Sequence, residues 1–181
     1  MQGQRDASFR ARLSECPFTY ICLRENHEER ARKVMGMYPG NWEIRRKYGG
    51  EIYVEKEYTQ LEYLSDIPAV YEFCDYKMLS LPGAYGIDKW YRLMHGWPWF
   101  EGEMLTEEER EVGRQLKAKE RPFDLVISNT CPIDYEPTDL FLDGINQTLV
   151  DKTMERYLGE IEHAVEVGEF MRMKEGEESL S

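Results

Sequence analysis

An asparagine and a histidine near the start of the chain are the residues best placed for chemistry. Asn26 and His27 follow an apolar run, residues 18–23, which predicts a buried strand that would hold both side chains at its end. An asparagine oxygen can ligate a metal ion, although less well than a histidine or a carboxylate, and a histidine can act as a general acid. His27 would need a nucleophile to assist, and without a metal-activated water the sequence offers none.

The other residues of catalytic type form no recognisable set. His95 stands among aromatic residues, which predicts that it packs or hydrogen-bonds in the core, and His163 occupies a polar position of the last predicted helix. No serine or cysteine stands in an arrangement typical of a nucleophile. Gly83 and Gly86 form a Gly-x-x-Gly pair, which is too weak a motif to indicate a phosphate-binding loop.

Acidic residues dominate the composition, and they are distributed unevenly. The formal net charge is −12; positions 1–50 hold 10 basic and 6 acidic residues, and positions 51–181 hold 13 basic and 29 acidic residues. Such an acidic body repels nucleic acids and anionic membranes, and it is attracted to a basic surface. We therefore expect no direct binding to nucleic acid or to membranes.

Ten acids in two clusters form the predicted partner-binding surface. They could imitate a nucleic-acid backbone, because docking on a basic channel would release its counterions. The alternative interpretation is that they only hydrate exposed helix faces. The residues are Glu101, Glu103, Glu107, Glu108, Glu109, Glu111, Asp134, Glu136, Asp139 and Asp143.

The elements that would position these residues alternate between strands and helices, which is typical of the α/β class. Thr106 and Glu109 have the spacing of a capping box and predict the start of a helix. The aromatic segment 90–100 predicts a lid or a core plug. The other predicted elements are a helix around Phe9 and Leu13 that stops at Pro17, a helix over 25–35, turns at 39–41 and 49–50, a hairpin of 69–73 and 78–81, a loop over 82–86, a strand over 123–128, a short helix over 140–145 and an amphipathic helix from 148 to 165.

Three segments resemble calcineurin-like metallophosphoesterases of bacterial and phage type. They are the Asn-His-Glu run at 26–28 and the stretches 81–92 and 123–132, and the similarity covers roughly residues 15–165. The resemblance implies a β-sandwich of two sheets flanked by helices, with two metal ions at the sheet edge. It also implies that Asn26 falls on a metal ligand, that His27 falls on a phosphate contact and that Asn129 stands in the place of a ligand histidine.

The same resemblance implies that the metal chemistry has been lost. Glu25 stands where the family has a glycine, and the family's N-terminal Asp-x-His and Gly-Asp segments and its final Gly-His-x-His have no counterpart. The first β-α-β unit of the family is expected to be missing with them. We therefore expect a vestigial site of Asn26, His27 and Asn129, with no catalytic residue, no metal and no cofactor.

These expectations combine into one functional prediction. Residues 1–168 would form a single metallophosphoesterase-like domain and residues 169–181 a charged C-terminal tail. The protein would be a non-catalytic inhibitor of a basic nucleic-acid enzyme in the cytoplasm of a bacterial host. The first candidate partner is a complex of a CRISPR nuclease and its guide RNA, which would make the chain an anti-CRISPR protein.

Three alternatives stay open from the sequence. A residual metal-dependent phosphoesterase would need ligands from elsewhere, such as Asp88, Asp134 or a second subunit. A decayed gene fragment would have no selected role. A homodimer could form through an aromatic patch of Trp90, Trp97, Trp99 and Phe100, although burial of most of these side chains in the core is also expected.

Overall fold

The computed structural model describes residues 2–25, 28–120, 122–141 and 146–162, and within them the chain is a mixed α/β domain. The described strands form two mixed sheets, which confirms the predicted class. The helices are α1 (Gln2–Ser14), α2 (Ala31–Met37), α3 (Lys89–Met94), α4 (Glu107–Glu120) and α5 (Thr153–Glu162). The strands are β1 (Tyr20–Cys22), β2 (Trp42–Lys47), β3 (Gly50–Glu55), β4 (Leu61–Leu64), β5 (Ala69–Phe73), β6 (Tyr76–Leu81) and β7 (Leu125–Ser128).

The first sheet has the order β1-β4-β3-β2, with β1 parallel to β4 and the other neighbours antiparallel. Tyr48 and Gly49 both have positive φ, which suits the two-residue turn between β2 and β3. The turn predicted at residues 49–50 is present but lies one residue earlier, because Gly50 is already the first residue of β3. The strands β2, β3 and β4 were not predicted.

The second sheet has the order β5-β6-β7, and its first two strands are the predicted hairpin. Strand β7 runs parallel to β6, with Leu81 opposite Ser128 at the last pair of the ladder. The carboxyl ends of β6 and β7 therefore lie at the same edge of the sheet. The loops that follow the two strands leave the sheet together, in the position where α/β proteins commonly bind ligands.

The larger apolar core lies between this sheet and the last helix. Helix α5 buries Met154, Tyr157, Leu158 and Ile161 against Leu79 and other buried residues of this core. Six positions were predicted from the apolar periodicity, and these four are confirmed; Val150 precedes the helix, which begins at Thr153, and position 165 is not described. Helix α4 approaches α5 at Gly113, where an added Cβ would stand 1.8 Å from the Tyr157 hydroxyl, so only glycine fits there.

The two sheets contact each other through a buried tyrosine. The Tyr71 hydroxyl accepts a hydrogen bond from the Ser65 backbone N–H (2.8 Å) and donates one to the Glu51 carbonyl (2.7 Å). A Cβ at Gly50 would stand 2.6 Å from the Tyr71 ring, so the close approach of β3 requires glycine. This contact joins strand β3, which was not predicted, to the predicted hairpin of β5 and β6.

Several predicted boundaries are corrected. The strand predicted over 18–23 is limited to β1 and is half-buried, with Phe18 65% exposed. The helix predicted over 25–35 begins only at Ala31, because the Asp66 carboxylate accepts hydrogen bonds from the Ala31 and Arg32 N–H groups (3.1 and 3.0 Å).

Parts of other predictions lie outside the described residues. The short helix predicted over 140–145 overlaps only the end of a 3-10 turn, Thr138–Leu140, and positions 142–145 are not described. The boundary between 168 and 169 is not described either, so the separate tail stays a prediction. No described helix is long and apolar enough to cross a bilayer.

Candidate functional site

The residues of the predicted vestigial site are only partly described. Asn26 and His27 lie outside the described residues, so their placement at a metal site stays a prediction. Asn129 is half-buried and follows β7 directly, at the carboxyl edge of the second sheet. Its Oδ1 atom is shielded from solvent and has no hydrogen-bond partner among the described residues.

The ten acids of the predicted partner-binding surface do not form one surface. Glu103 is buried, Glu109 and Glu136 are half-buried in ion pairs, and Asp143 lies outside the described residues. The remaining acids are exposed. They are Glu101, Glu107, Glu108, Glu111, Asp134 and Asp139.

Glu103 belongs to the interior, which corrects its assignment to a binding surface. Only 1% of the residue is exposed. Its carboxylate accepts hydrogen bonds from the Gly86 backbone N–H (3.1 Å) and from Arg92 Nη1 (3.4 Å). Burial raises the pKa of Glu103 to about 7, against the lowering effect of these two donors. Glu103 thus fastens the loop after β6 and helix α3 to the segment that precedes α4.

Glu109 and Glu136 are also corrected, because each is held by a cation. Glu109 pairs with Arg30, whose Nη2 lies 2.9 Å from Oε2, and it also completes the predicted capping box through the Thr106 N–H (2.9 Å). The Lys152 ammonium donates to Glu136 Oε1 at 2.7 Å. These two acids have a structural role in the described fold.

Even the exposed acids of α4 have local cationic partners. Glu107 pairs with Arg114 and Arg110, and hydrogen bonds from these two guanidinium groups lower its pKa. Arg114 also lies 3.5 Å from Glu111 and 3.0 Å from Glu160. The surface of α4 therefore alternates in sign and is less acidic than the sequence alone predicts.

Helix α3 carries an apolar surface that faces solvent. Arg92 is the buried residue of this short helix, and it points inward to Glu103. The outward residues are largely apolar, with Trp90 63% and Met94 77% exposed. We call this surface the α3 patch; it comprises Ile87, Trp90, Tyr91, Leu93, Met94 and Trp97. The usual arrangement, apolar face inward and charged face outward, is reversed here.

The α3 patch is held in a defined shape. Gly96 has a φ of +65° and ends the helix, and the Trp97 and Gly96 N–H groups bond the carbonyls of Arg92 (2.8 Å) and Leu93 (3.2 Å). This cap sets the Trp97 ring at a right angle to Tyr91, with ring centroids 5.5 Å apart. The pair of Tyr91 and Trp97 is therefore pre-organised for contact with a partner.

The α3 patch differs in part from the aromatic patch predicted from the sequence. Trp90 and Trp97 are exposed, whereas Trp99 and Phe100 are half-buried. His95 is exposed and stacks on Tyr91 with ring centroids 4.1 Å apart, so its predicted place in the core is wrong. The idea of a core plug is also wrong for Trp90 and Trp97.

A pocket of about 320 Å³ opens at the carboxyl edge of the second sheet. Its walls come from the loop after β6, the segment after β7 and the start of α5. Apolar side chains of Ile87, Leu140, Phe141 and Val150 line much of it. Its polar groups include Asn129, Glu136, Lys152 and Glu155. A volume of this size is at the lower end of the range for small-molecule sites.

Glu155 is a buried polar group of this pocket that the sequence analysis did not single out. It lies in the first turn of α5 and is only 7% exposed. The Thr130 hydroxyl donates to its Oε1 atom at 2.8 Å, whereas Oε2 has no hydrogen-bond partner among the described residues. A glutamate in the first turn of a helix is common, so no local pattern indicates this burial.

The side chains of the pocket do not match the requirements of a pair of divalent ions. Such a centre needs a carboxylate that bridges both metals and several further histidine or carboxylate ligands. The described surroundings of Asn129 offer one amide oxygen and the free oxygen of Glu155, and no described group of three or more His, Cys, Asp and Glu side chains could hold a metal. This donor set does not fit a two-metal centre, and the non-catalytic assignment stays a prediction.

Comparisons of the chain with protein-family models, curated proteins and solved structures gave no match. The relationship to metallophosphoesterases therefore stays a prediction from the sequence segments. The candidate sites are the α3 patch and the pocket beside α5.

Proposed function

We propose that this chain is a non-catalytic binding protein that inhibits a basic nucleic-acid enzyme by docking on it through the α3 patch. A descent from a truncated metallophosphoesterase is part of the proposal. The observation that carries it is the reversed helix α3, which turns a charged residue inward and its tryptophan, tyrosine and methionine outward. An apolar surface of this kind, rich in aromatic residues, is typical of protein–protein contacts.

The contacts that hold Trp97 in place support specific binding over non-specific adhesion. Large aromatic side chains supply contact area, and they lose little conformational entropy when their position is already fixed. Trp97 is fixed by the cap at Gly96 and by its contact with Tyr91. A partner that covers these rings would bury apolar area without first having to order the loop.

The charge of the chain supports a basic partner. The net charge is −12, and the acids Glu101, Glu107 and Glu108 lie in the chain segment that directly follows the patch. Exposed acids beside an apolar contact increase the rate of encounter with a basic surface, and salt weakens this effect. Because Arg110 and Arg114 compensate part of α4, the apolar contact supplies most of the affinity in this proposal.

The first partner to test is a CRISPR nuclease loaded with its guide RNA, since it holds a positively charged channel for nucleic acid. The experiment is a pull-down of the loaded nuclease by the full chain, with DNA cleavage measured over a salt series. The expected result is binding and inhibition at low salt that weaken as salt rises. No binding at low salt would reject this partner.

A variant pair separates the α3 patch from exposed aromatic surface in general. The double variant Trp90→Ala/Trp97→Ala should lose at least tenfold in affinity, since large aromatic residues at the centre of an interface dominate its binding energy. The matched control is Phe18→Ala, which removes an aromatic side chain of similar exposure elsewhere on the surface. Equal affinity of both variants would overturn the assignment of the patch.

Two further measurements address the competing functions. Light scattering after gel filtration shows whether a second copy covers the patch. A stable dimer that the double variant abolishes would mean that the patch binds a second copy of this chain and not a different protein.

The other measurement is turnover of a generic phosphodiester with added manganese. Turnover that His27→Ala abolishes would mean that the chain is a phosphoesterase and not a binding protein.

A further inference from the structure

The pocket beside α5 has more acidic than basic groups in its lining, and the proposed function does not involve this pocket. Glu136 and Glu155 bring two formal negative charges to its lining, and Lys152 brings one positive charge. Cys131 lies near all three, and burial raises the pKa of its thiol, so it adds no charge near neutral pH. The lining therefore carries a net negative charge.

The pocket also has hydrogen-bond acceptors that lack donors in the described part of the chain. Lys152 donates to Glu136 and lies 4.9 Å from the centre of the Phe141 ring, whereas Glu155 forms no ion pair among the described residues. Glu155 Oε2 and Asn129 Oδ1 are both shielded acceptors without donors in that part of the chain. The N-terminus of α5 stabilises the negative charge of Glu155, but Oε2 still lacks a hydrogen-bond donor among the described residues.

We infer that this pocket binds a small organic cation, a guanidinium or ammonium group on a short apolar stem. The positive group donates hydrogen bonds to Glu155 Oε2 and Asn129 Oδ1, while the Thr130 hydroxyl holds the other carboxylate oxygen in place. The apolar stem lies against Leu140, Phe141 and Val150. Leu140 is exposed, so the mouth of the pocket is open to solvent.

The test is calorimetric titration of the full chain with n-butylguanidinium and with its neutral analogue, n-butylurea. The two probes have a similar shape and differ in charge, so their comparison needs no variant. The expected result is saturable binding of n-butylguanidinium at least tenfold tighter than that of n-butylurea, with a shift of the Asn129 side-chain amide signals in NMR. Equal affinity, or no binding of either probe, overturns the inference.

Substitutions assign the cation to Glu155. Glu155→Gln keeps the volume and the acceptor for Thr130, and it should weaken n-butylguanidinium binding at least tenfold. The control Glu111→Gln removes an acid from an exposed position of α4 and should leave the affinity unchanged. Manganese that competes with the organic cation and shifts the same Asn129 signals at lower concentration would replace the inference with a metal site.

The source of the cation is distinguished by a second ligand. A short peptide with one central arginine presents the same guanidinium on a protein, and tighter binding of the peptide than of n-butylguanidinium assigns the pocket to a partner's side chain. Weaker binding of the peptide assigns it to a free small molecule. The affinity of the α3 patch for its partner is a separate measurement, so the two proposals can fail independently.

Discussion

Two regions of the molecule each bury a glutamate, and the two acids differ in what their oxygens contact. Beneath α3, Glu103 has a donor at each carboxylate oxygen, Arg92 at one and the Gly86 N–H at the other. In the pocket beside α5, Glu155 has a donor at Oε1, and none at Oε2 among the described residues. Full pairing accounts for the burial of Glu103, whereas the free acceptor of Glu155 calls for a donor that the described residues do not supply.

The largest expected effect is on folding stability. Glu103→Ala would leave the buried Arg92 guanidinium without its main partner, and we expect a loss of about 3–5 kcal/mol in the free energy of unfolding. Glu155→Ala removes one hydrogen bond, to Thr130, and should cost about 1 kcal/mol. Urea denaturation of both variants measures the difference. Equal losses would remove the distinction between the two glutamates.

The second effect is a pH dependence that belongs to Glu103. Its pKa is raised from 4.5 to about 7 in the folded protein, so between these values the folded state binds more protons than the unfolded state. Stability relative to Glu103→Gln should therefore fall as pH rises from 4.5 to 7, by up to about 3 kcal/mol.

The control for this pH dependence is Glu107, whose folded pKa is lowered by its hydrogen bonds to Arg114 and Arg110. Stability relative to Glu107→Gln should change with the opposite sign and increase as pH rises through the acidic range. Urea denaturation at a series of pH values checks both. A flat difference between the wild-type chain and Glu103→Gln would contradict the buried, desolvated state of Glu103.

A third and smaller effect tests whether the negative charge of the pocket attracts the organic cation. Lys152→Gln removes the cation among the described polar groups of the pocket and leaves the negative charges of Glu136 and Glu155. The attraction for an organic cation should then increase, and we expect n-butylguanidinium to bind about fivefold more tightly. Calorimetric titration measures this change, and weaker binding would mean that Lys152 takes part in recognition.

The smallest expected effect is on the stability of the α3 patch variant. Because Trp90 faces solvent, Trp90→Ala should change the free energy of unfolding by no more than about 0.5 kcal/mol. Thermal unfolding followed by circular dichroism checks this. A loss above about 2 kcal/mol would place Trp90 in the fold and weaken its assignment to an interface.

The sequence predicted the elements whose signals are local. The hairpin of β5 and β6, the capping box at Thr106 and the buried face of α5 depend on spacing within a few residues, and all three are confirmed. Strands β2, β3 and β4 were missed. In β2 only Trp42 and Ile44 alternate with polar residues before the basic run 45–47, so its apolar pattern is too short to indicate a strand.

The candidate sites depended on contacts that are distant in the sequence. Glu103 was assigned to the surface because it lies in an acidic run, and its burial follows from Arg92 and from the loop at Gly86. Glu155 was not singled out, because its pocket forms only when the segment after β7 packs beside α5. Trp90 is exposed because the Arg92 side chain occupies the inward face of α3. No local sequence pattern indicates that this helix has its charged side chain inside and its apolar side chains outside.

Amide hydrogen exchange of the full chain, with and without the guide-loaded nuclease, tests binding through the α3 patch directly. We expect exchange to slow over residues 87–97, the segment that carries the α3 patch, and this protection to disappear in the Trp90→Ala/Trp97→Ala variant. Slower exchange confined to other segments, or unchanged exchange at a concentration where the partner inhibits normally, would contradict binding through this surface.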